Sequence, residues 1–262
     1  MPKAYQERFA SQFKWLGQPA TAQGVVPATA GYVPLTQPLL YAAHLQNRGA
    51  GAIPAALVGL IPDSMWEAGQ WTAIGTTYAA DTADAQDADA DDFALQTLTN
   101  NDGHLIGCDI PFGAISYDIT TASVGAGQVH TYRYWNGSAW TAIAATGMLV
   151  DGPRTAGQTW ALGELLVLFD PKIDWAKGGT GTNVNAARYN LLMQATTAPG
   201  TAALARRIYL GKVLASWESI AAGDEKSRFW TPSGIILPEG IAALGGAFGT
   251  ADESNTVEVM RS

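Results

Sequence analysis

The sequence is short of charge and of the chemistry that charge supports. Charged residues make up 15% of its 262 positions, against roughly 25% in an average soluble domain. The basic residues are the scarcer sign, 15 Lys and Arg against 23 Asp and Glu, for a net charge of −8. Such a chain has no basic face with which to displace counterions from a phosphate backbone, so nucleic acid is not an expected partner. Cysteine occurs once, at Cys108. An internal disulfide is thereby excluded, and a lone cysteine of this kind reads as a small buried hydrophobe. Histidine occurs three times, at His44, His104 and His130, with no HExxH spacing and no pair at i, i+4. No G-x-S-x-G elbow, G-x-x-x-x-G-K-[ST] loop or G-x-G-x-x-G fingerprint occurs either. Nucleophilic hydrolysis, zinc-dependent hydrolysis and nucleotide binding therefore lack their usual sequence basis, and the expectation is no enzyme, no cofactor and no metal. The longest apolar stretch, Ala52–Ile61, is short and interrupted by Pro54, and Met1–Arg8 carries no apolar signal core, so neither membrane span nor secretion is expected.

What is present begins with aromatic periodicity. Tyr5, Phe9, Phe13 and Leu16 recur at helical spacing, which predicts an amphipathic helix over about Lys3–Leu16 stopped by Gly17. An isolated helix with one apolar stripe must dock it on something, and Tyr5, Phe9, Phe13, Trp15 and Leu16 are the candidate partner-binding anchors. Pro19, Pro27, Pro34, Pro38, Pro54 and Pro62 then favour extended chain over regular sheet. Residues 1–63 accordingly read as a helix and attachment arm.

After the arm, short runs rich in β-branched and aromatic residues alternate with Gly, Asn and Asp turns. Residues 64–262 therefore read as one antiparallel, jelly-roll-like β-sandwich domain, and the fold class as all-β. His130–Trp135 followed by Asn136-Gly137-Ser138 and Trp140–Ile143 predicts a hairpin, because Asn-Gly supplies the positive φ of a tight turn. Leu165–Phe169 is uninterrupted in its apolar character, as in a strand covered on both faces. One internal echo stands out: Trp66 and Trp71, and again Trp135 and Trp140, lie five residues apart and each pair ends in Trp-Thr-Ala-Ile. Two duplicated hairpins in one sandwich explain it as well as two repeated domains do, and one domain is preferred.

Two clusters invite a ligand. Asp81, Asp84, Asp87, Asp89, Asp91 and Asp92 include the first alternating acids of a calcium loop, but Asp92 and Leu98 stand where such a loop needs Gly and Glu. A solvated acidic loop is the expectation there. Trp66, Trp71, Trp135 and Trp140 could fill a core or interface, or could stack on glycan.

The hairpin string Tyr132-Arg133-Tyr134-Trp135-Asn136-Gly137-Ser138-Ala139-Trp140, the later Asp170-Pro171-Lys172-Ile173-Asp174-Trp175 and the terminal Ile235-Ile236-Leu237-Pro238-Glu239-Gly240 resemble β-sandwich virion proteins of tailed bacteriophages. Gly178-Gly179-Thr180-Gly181 followed by Ala187-Arg188-Tyr189-Asn190-Leu191 is similar to a segment of phage tail fibres. The resemblance implies a non-enzymatic structural protein of the particle: a capsid decoration or cement protein at the capsid surface, bound to the major capsid protein through its arm. It implies a homo-oligomer, with a trimer favoured. The alternative is a tail or head fibre adhesion module for host glycan.

Overall fold

The protein is described here by a computed structural model covering residues 14–15, 18–21, 32–34, 39–46, 53–73, 76–87, 89, 93–125, 128–151, 159–221, 223–229, 235–236, 240–245 and 254–261. The chain divides into two compact units, residues 1–60 with 213–262, and residues 61–212. The sequence reading divides it once, at 63/64.

The first unit opens with β1 (Lys14–Trp15), β2 (Gln18–Thr21), β3 (Tyr32–Pro34), β4 (Leu39–Gln46) and β5 (Ile53–Leu60). The second contains β6 (Trp66–Thr72), β7 (Thr77–Ala80), a short helix Thr82–Gln86, β8 (Phe93–Ala94), β9 (Gly103–Cys108), β10 (Ala114–Thr121), β11 (His130–Trp135), β12 (Trp140–Ala142), β13 (Met148–Asp151), β14 (Gly163–Phe169) and β15 (Tyr189–Ala195). The long strand β16 (Leu204–Ile220) passes the boundary, and β17 (Glu225–Phe229), β18 (Ile235–Ile236), β19 (Gly240–Gly245) and β20 (Ser254–Arg261) complete the first unit.

Among the described residues of the first unit, every pairing is between an early and a late segment. β20 pairs with β1, β2 and β4, β17 and β18 pair with β4, and β19 pairs with β3 and β5, all antiparallel. The expectation of extended chain in place of regular sheet is corrected: the described stretches of the proline-bearing segment are paired sheet strands. Pro34 ends β3, and Pro19 lies in β2, whose one partner among the described residues is β20, positions where a missing N–H is tolerated. The helix expected over 3–16 falls mainly on residues outside the described set, as do Tyr5, Phe9, Phe13 and Leu16. Its last part is corrected: Lys14–Trp15 is strand, with Trp15 opposite Met260.

The second unit is an antiparallel β-sandwich. One sheet runs β12-β11-β15-β9-β6-β7, and the other includes β13-β14-β10-β16 with β8 against β16. Alternate residues of both sheets meet in one core: Ile106, Cys108, Tyr132, Leu191 and Met193 from the first, Ile115, Tyr117, Val167, Phe169 and Ile208 from the second. The period of two along each strand sets this division. Leu165–Phe169 is buried at every position, as its uninterrupted apolar run predicts.

Two local expectations are corrected. The Trp-x4-Trp echo is not a pair of hairpins, because Trp66 and Trp71 both lie in β6 whereas Trp135 and Trp140 face each other across β11 and β12. The Asn-Gly pair does not make a two-residue turn. Four residues, 136–139, join the strands, and among them only Gly137, at φ 93°, is left-handed.

Candidate functional site

An odd spacing along one strand puts side chains on opposite faces, so β6 sends Trp66 into the core and Trp71 to the outer face of the six-stranded sheet. The cross-strand partners Trp135 and Trp140 share a face with each other and with Trp71. Their rings form an edge-to-face series, Trp71 to Trp140 at 6.2 Å and Trp140 to Trp135 at 5.6 Å. Trp66, Trp71 and Trp135 are only 2%, 3% and 8% exposed. Of the four candidate tryptophans, Trp140 alone offers ring surface to solvent.

The cover over this face is the glycine segment 178–181. A Cβ at Gly178 would lie 2.9 Å from the Trp135 indole nitrogen, and one at Gly181 would lie 2.8 Å from the Trp71 ring. Both glycines have positive φ, 124° and 140°, so neither the space nor the backbone admits a side chain. The loop is then tied down along its length. Trp140 Nε1 donates to Thr180 O at 3.1 Å, Thr182 N to Thr76 O at 2.8 Å, and Tyr78 N to Thr182 O at 3.0 Å.

One buried side chain holds the loop ends together. The Asn190 amide donates to Gly178 O and Asn185 O at 2.8 Å each and to Arg188 O at 3.2 Å. Arg188 donates to Met65 O at 2.6 Å and lies 3.4 Å from Glu67 and 3.6 Å from Asp109. Asn190 and Arg188 were legible only as parts of the fibre-like string; their roles come from contacts that no spacing reveals.

The corner 170–175 joins the same construction from the core side. Tyr134 donates to Asp174 at 2.9 Å, Trp175 Nε1 to Asn190 O at 3.2 Å, and Ala176 N to Trp135 O at 2.9 Å. The Trp175 ring packs 5.1 Å from Phe112 and 6.1 Å from Phe169, closing this end of the sandwich. The hairpin thus meets the corner and the glycine loop, which follow each other closely in the chain. The terminal Ile235–Gly240 string contributes β18 and the first residue of β19; its residues 237–239 lie outside the described set.

His104, His130 and Cys108 lie inside. His104 Nδ1 donates to Leu95 O, and its Nε2 accepts from the Tyr117 hydroxyl, both at 2.9 Å, an arrangement that suits a neutral imidazole. Burial pushes His104 down to about 4 and the Tyr117 hydroxyl well above its usual value. His130 packs its ring 5.3 Å from Trp160, and His44 lies in β4. Cys108 is buried in the core, with its thiol pushed up to about 11 by burial. Both groups therefore stay neutral around pH 7, and the pair His104–Tyr117 acts as a core hydrogen bond.

In the acidic stretch, Asp81 precedes the helix Thr82–Gln86 and the Asp89 N–H donates to Asp87 at 2.9 Å, while Asp91 and Asp92 lie outside the described residues. Among the described residues, no three His, Cys, Asp or Glu side chains converge as a metal site, and no helix is long and apolar enough to cross a membrane. In comparison with known proteins, no family model, no curated relative and no solved structure matches the chain.

Proposed function

We propose that the chain is a non-enzymatic structural protein of a tailed-phage particle, a capsid decoration protein that binds the major capsid protein at the shell surface. The observation that supports this reading is the convergence at Trp135, Trp175 and Asn190. Three of the four fragments that resemble virion proteins, the hairpin, the corner and the glycine loop, build one interlocked end of the sandwich. That construction suits a protein whose task is to hold a shape under load, since its loop is fixed by packing and hydrogen bonds at both ends. The test is location and stoichiometry in purified particles, with and without residues 1–17. Ordered copies on the shell, lost on truncation, are the expected result; absence from the particle refutes it.

The adhesion reading is favoured by one feature, the half-buried Trp140 beside the exposed turn residues Gly137–Ala139. An aromatic face next to hydrogen-bonding groups is what a sugar ring requires. Retention of the chain on host glycan, lost in Trp140→Ala, would select this reading over decoration.

A further inference from the structure

The turn between β11 and β12 carries the one Asn-Gly pair of the sequence, Asn136-Gly137. In such a pair the side-chain amide carbon of the first residue and the main-chain nitrogen of the second can close a five-membered ring. Reaction between them needs a free nitrogen, a polarised carbonyl oxygen and an amide free to leave, and this turn supplies all three. The Asn136 side-chain oxygen accepts from Ser138 N at 3.0 Å, from Ser138 Oγ at 3.0 Å and from Ala139 N at 2.8 Å. Three donors on one atom identify it as the oxygen, and they stand where a tetrahedral intermediate gathers negative charge. The Gly137 N–H donates to no group among the described residues, and Gly137 is exposed, with no side chain to shield its nitrogen. The Asn136 amide nitrogen likewise has no acceptor among the described residues.

The other asparagines of residues 61–212 are each closed at one of these points. After Asn100, the attacking position is taken, because Asn101 N donates to Ala195 O at 2.7 Å; after Asn101, Asp102 N donates to Thr99 O at 3.3 Å. The amides of Asn183 and Asn185 are held by Tyr78 O and by the Glu67 carboxylate, at 3.3 Å each. Asn190 is fully buried and gives its amide to three carbonyls.

We propose that Asn136-Gly137 is a self-modification site, at which the Gly137 nitrogen attacks the Asn136 side chain and converts it, through a cyclic imide, to aspartate and isoaspartate. Hydroxide removes the Gly137 N–H proton, the nitrogen pair bonds to Cγ, and the carbonyl pair moves to Oδ1 under its three donors. Collapse restores the C=O bond and breaks Cγ–Nδ2, and the leaving nitrogen takes a proton from water to depart as ammonia. Water then opens the imide. Cleavage at Cγ gives aspartate in an ordinary chain; cleavage at the main-chain carbonyl of residue 136 gives isoaspartate, whose backbone is one methylene longer. One water is consumed and one ammonia released, with no oxidant or reductant. Either product adds a negative charge to the net −8, in the turn that joins Trp135 to its cross-strand partner Trp140. The proposal rests on neither reading of function, because it concerns the chemistry of the isolated chain.

The test is peptide mapping by mass spectrometry on the full chain held folded in mildly alkaline buffer, with isoaspartyl methyltransferase labelling to separate the two products. Asn136 is expected to convert first among the asparagines of residues 61–212, and no more slowly than in the same chain unfolded in guanidinium. Ser138→Ala, which removes one donor to the oxygen, is expected to slow conversion about twofold to tenfold, the worth of one exposed hydrogen bond. The near-ultraviolet circular dichroism of the tryptophans confirms that wild type and variant are folded throughout. Earlier conversion at Asn100, Asn101, Asn183, Asn185 or Asn190 overturns the proposal. So does a folded chain in which Asn136 reacts about tenfold or more slowly than in the unfolded one, since the turn would then protect it. A Ser138→Ala rate equal to that of wild type overturns the role given to the three donors.

Discussion

The two faces of the six-stranded sheet bury aromatic rings by different means. On the inner face, side chains from β6, β9, β11 and β15 meet a second sheet in one shared core. On the outer face, Trp71, Trp135 and Trp140 meet a single loop, admitted by glycines and held at its base by Asn190. The first closure is collective and the second depends on a few bonds. Damage to the inner face should therefore unfold the whole unit, whereas damage to the outer face should release a loop and leave the sandwich standing.

Trp175→Ala should give the largest effect, because it empties a buried ring site between Phe112, Phe169 and Tyr134 and strands the Asn190 carbonyl. A loss of about 3–5 kcal/mol is expected from such a truncation. Denaturant unfolding monitored by two probes should shift as one cooperative transition. Loss confined to the glycine loop would show that the two faces are not separated as described.

Acid should act on the inner face through His104. His104 has a folded value of about 4 and an ordinary unfolded value near 6.5, so the folded form excludes a proton that the unfolded chain accepts. Its contribution is fully present above about pH 6.5 and is lost as pH falls to about 4, by about 3 kcal/mol in total. Below about pH 4 the folded state binds the proton too, and this loss stops growing. The check is the stability difference between pH 7 and pH 4 for wild type and His104→Gln; the variant should lose less over that range.

Asn190→Ala sharpens the comparison from the other side. It removes the donors to Gly178, Asn185 and Arg188 from a buried position, which costs about 1–3 kcal/mol. Hydrogen exchange should rise over 178–188, and the Trp140 emission should move to the red, while amides of β9 and β10 stay protected. Exchange rising equally in those strands would contradict a loop-only response.

Legibility divides along the same line between local and distant contacts. His130–Trp135 and Leu165–Phe169 were readable because their signals, alternation before a turn and an unbroken apolar run, reside in consecutive residues. The all-β sandwich followed from such runs. The helix Thr82–Gln86 has five residues, too few to show a period, and it replaces part of the expected acidic loop. The paired Trp spacings were misread because the same interval means opposite faces within β6 and the same face across a hairpin, and strand continuity decides between them. Pairing of the proline-bearing segment with β17–β20 joins opposite ends of the chain, and no local pattern encodes it. At the candidate site, the tryptophans and glycines were visible as residues, but the Asn190 amide gained its meaning only once Gly178 and Arg188 were brought to it.

Gly137→Ala should give the smallest effect, and it tests whether the hairpin end belongs to the outer closure. Gly137 sits at φ 93°, where a Cβ is strained, yet its added methyl would meet only Ala176 at an ordinary 3.5 Å. The turn is otherwise secured by Asn136, whose side-chain oxygen accepts from Ser138 N at 3.0 Å and Ala139 N at 2.8 Å. The substitution should therefore cost about 1 kcal/mol through backbone strain alone. A thermal melt should show this small loss with Trp140 emission unchanged, because Trp140 is held by Trp135 and Thr180 rather than by the turn. A red shift in Gly137→Ala as large as that in Asn190→Ala would mean that turn and loop act as one closure, and that the outer face is more cooperative than its bonds suggest.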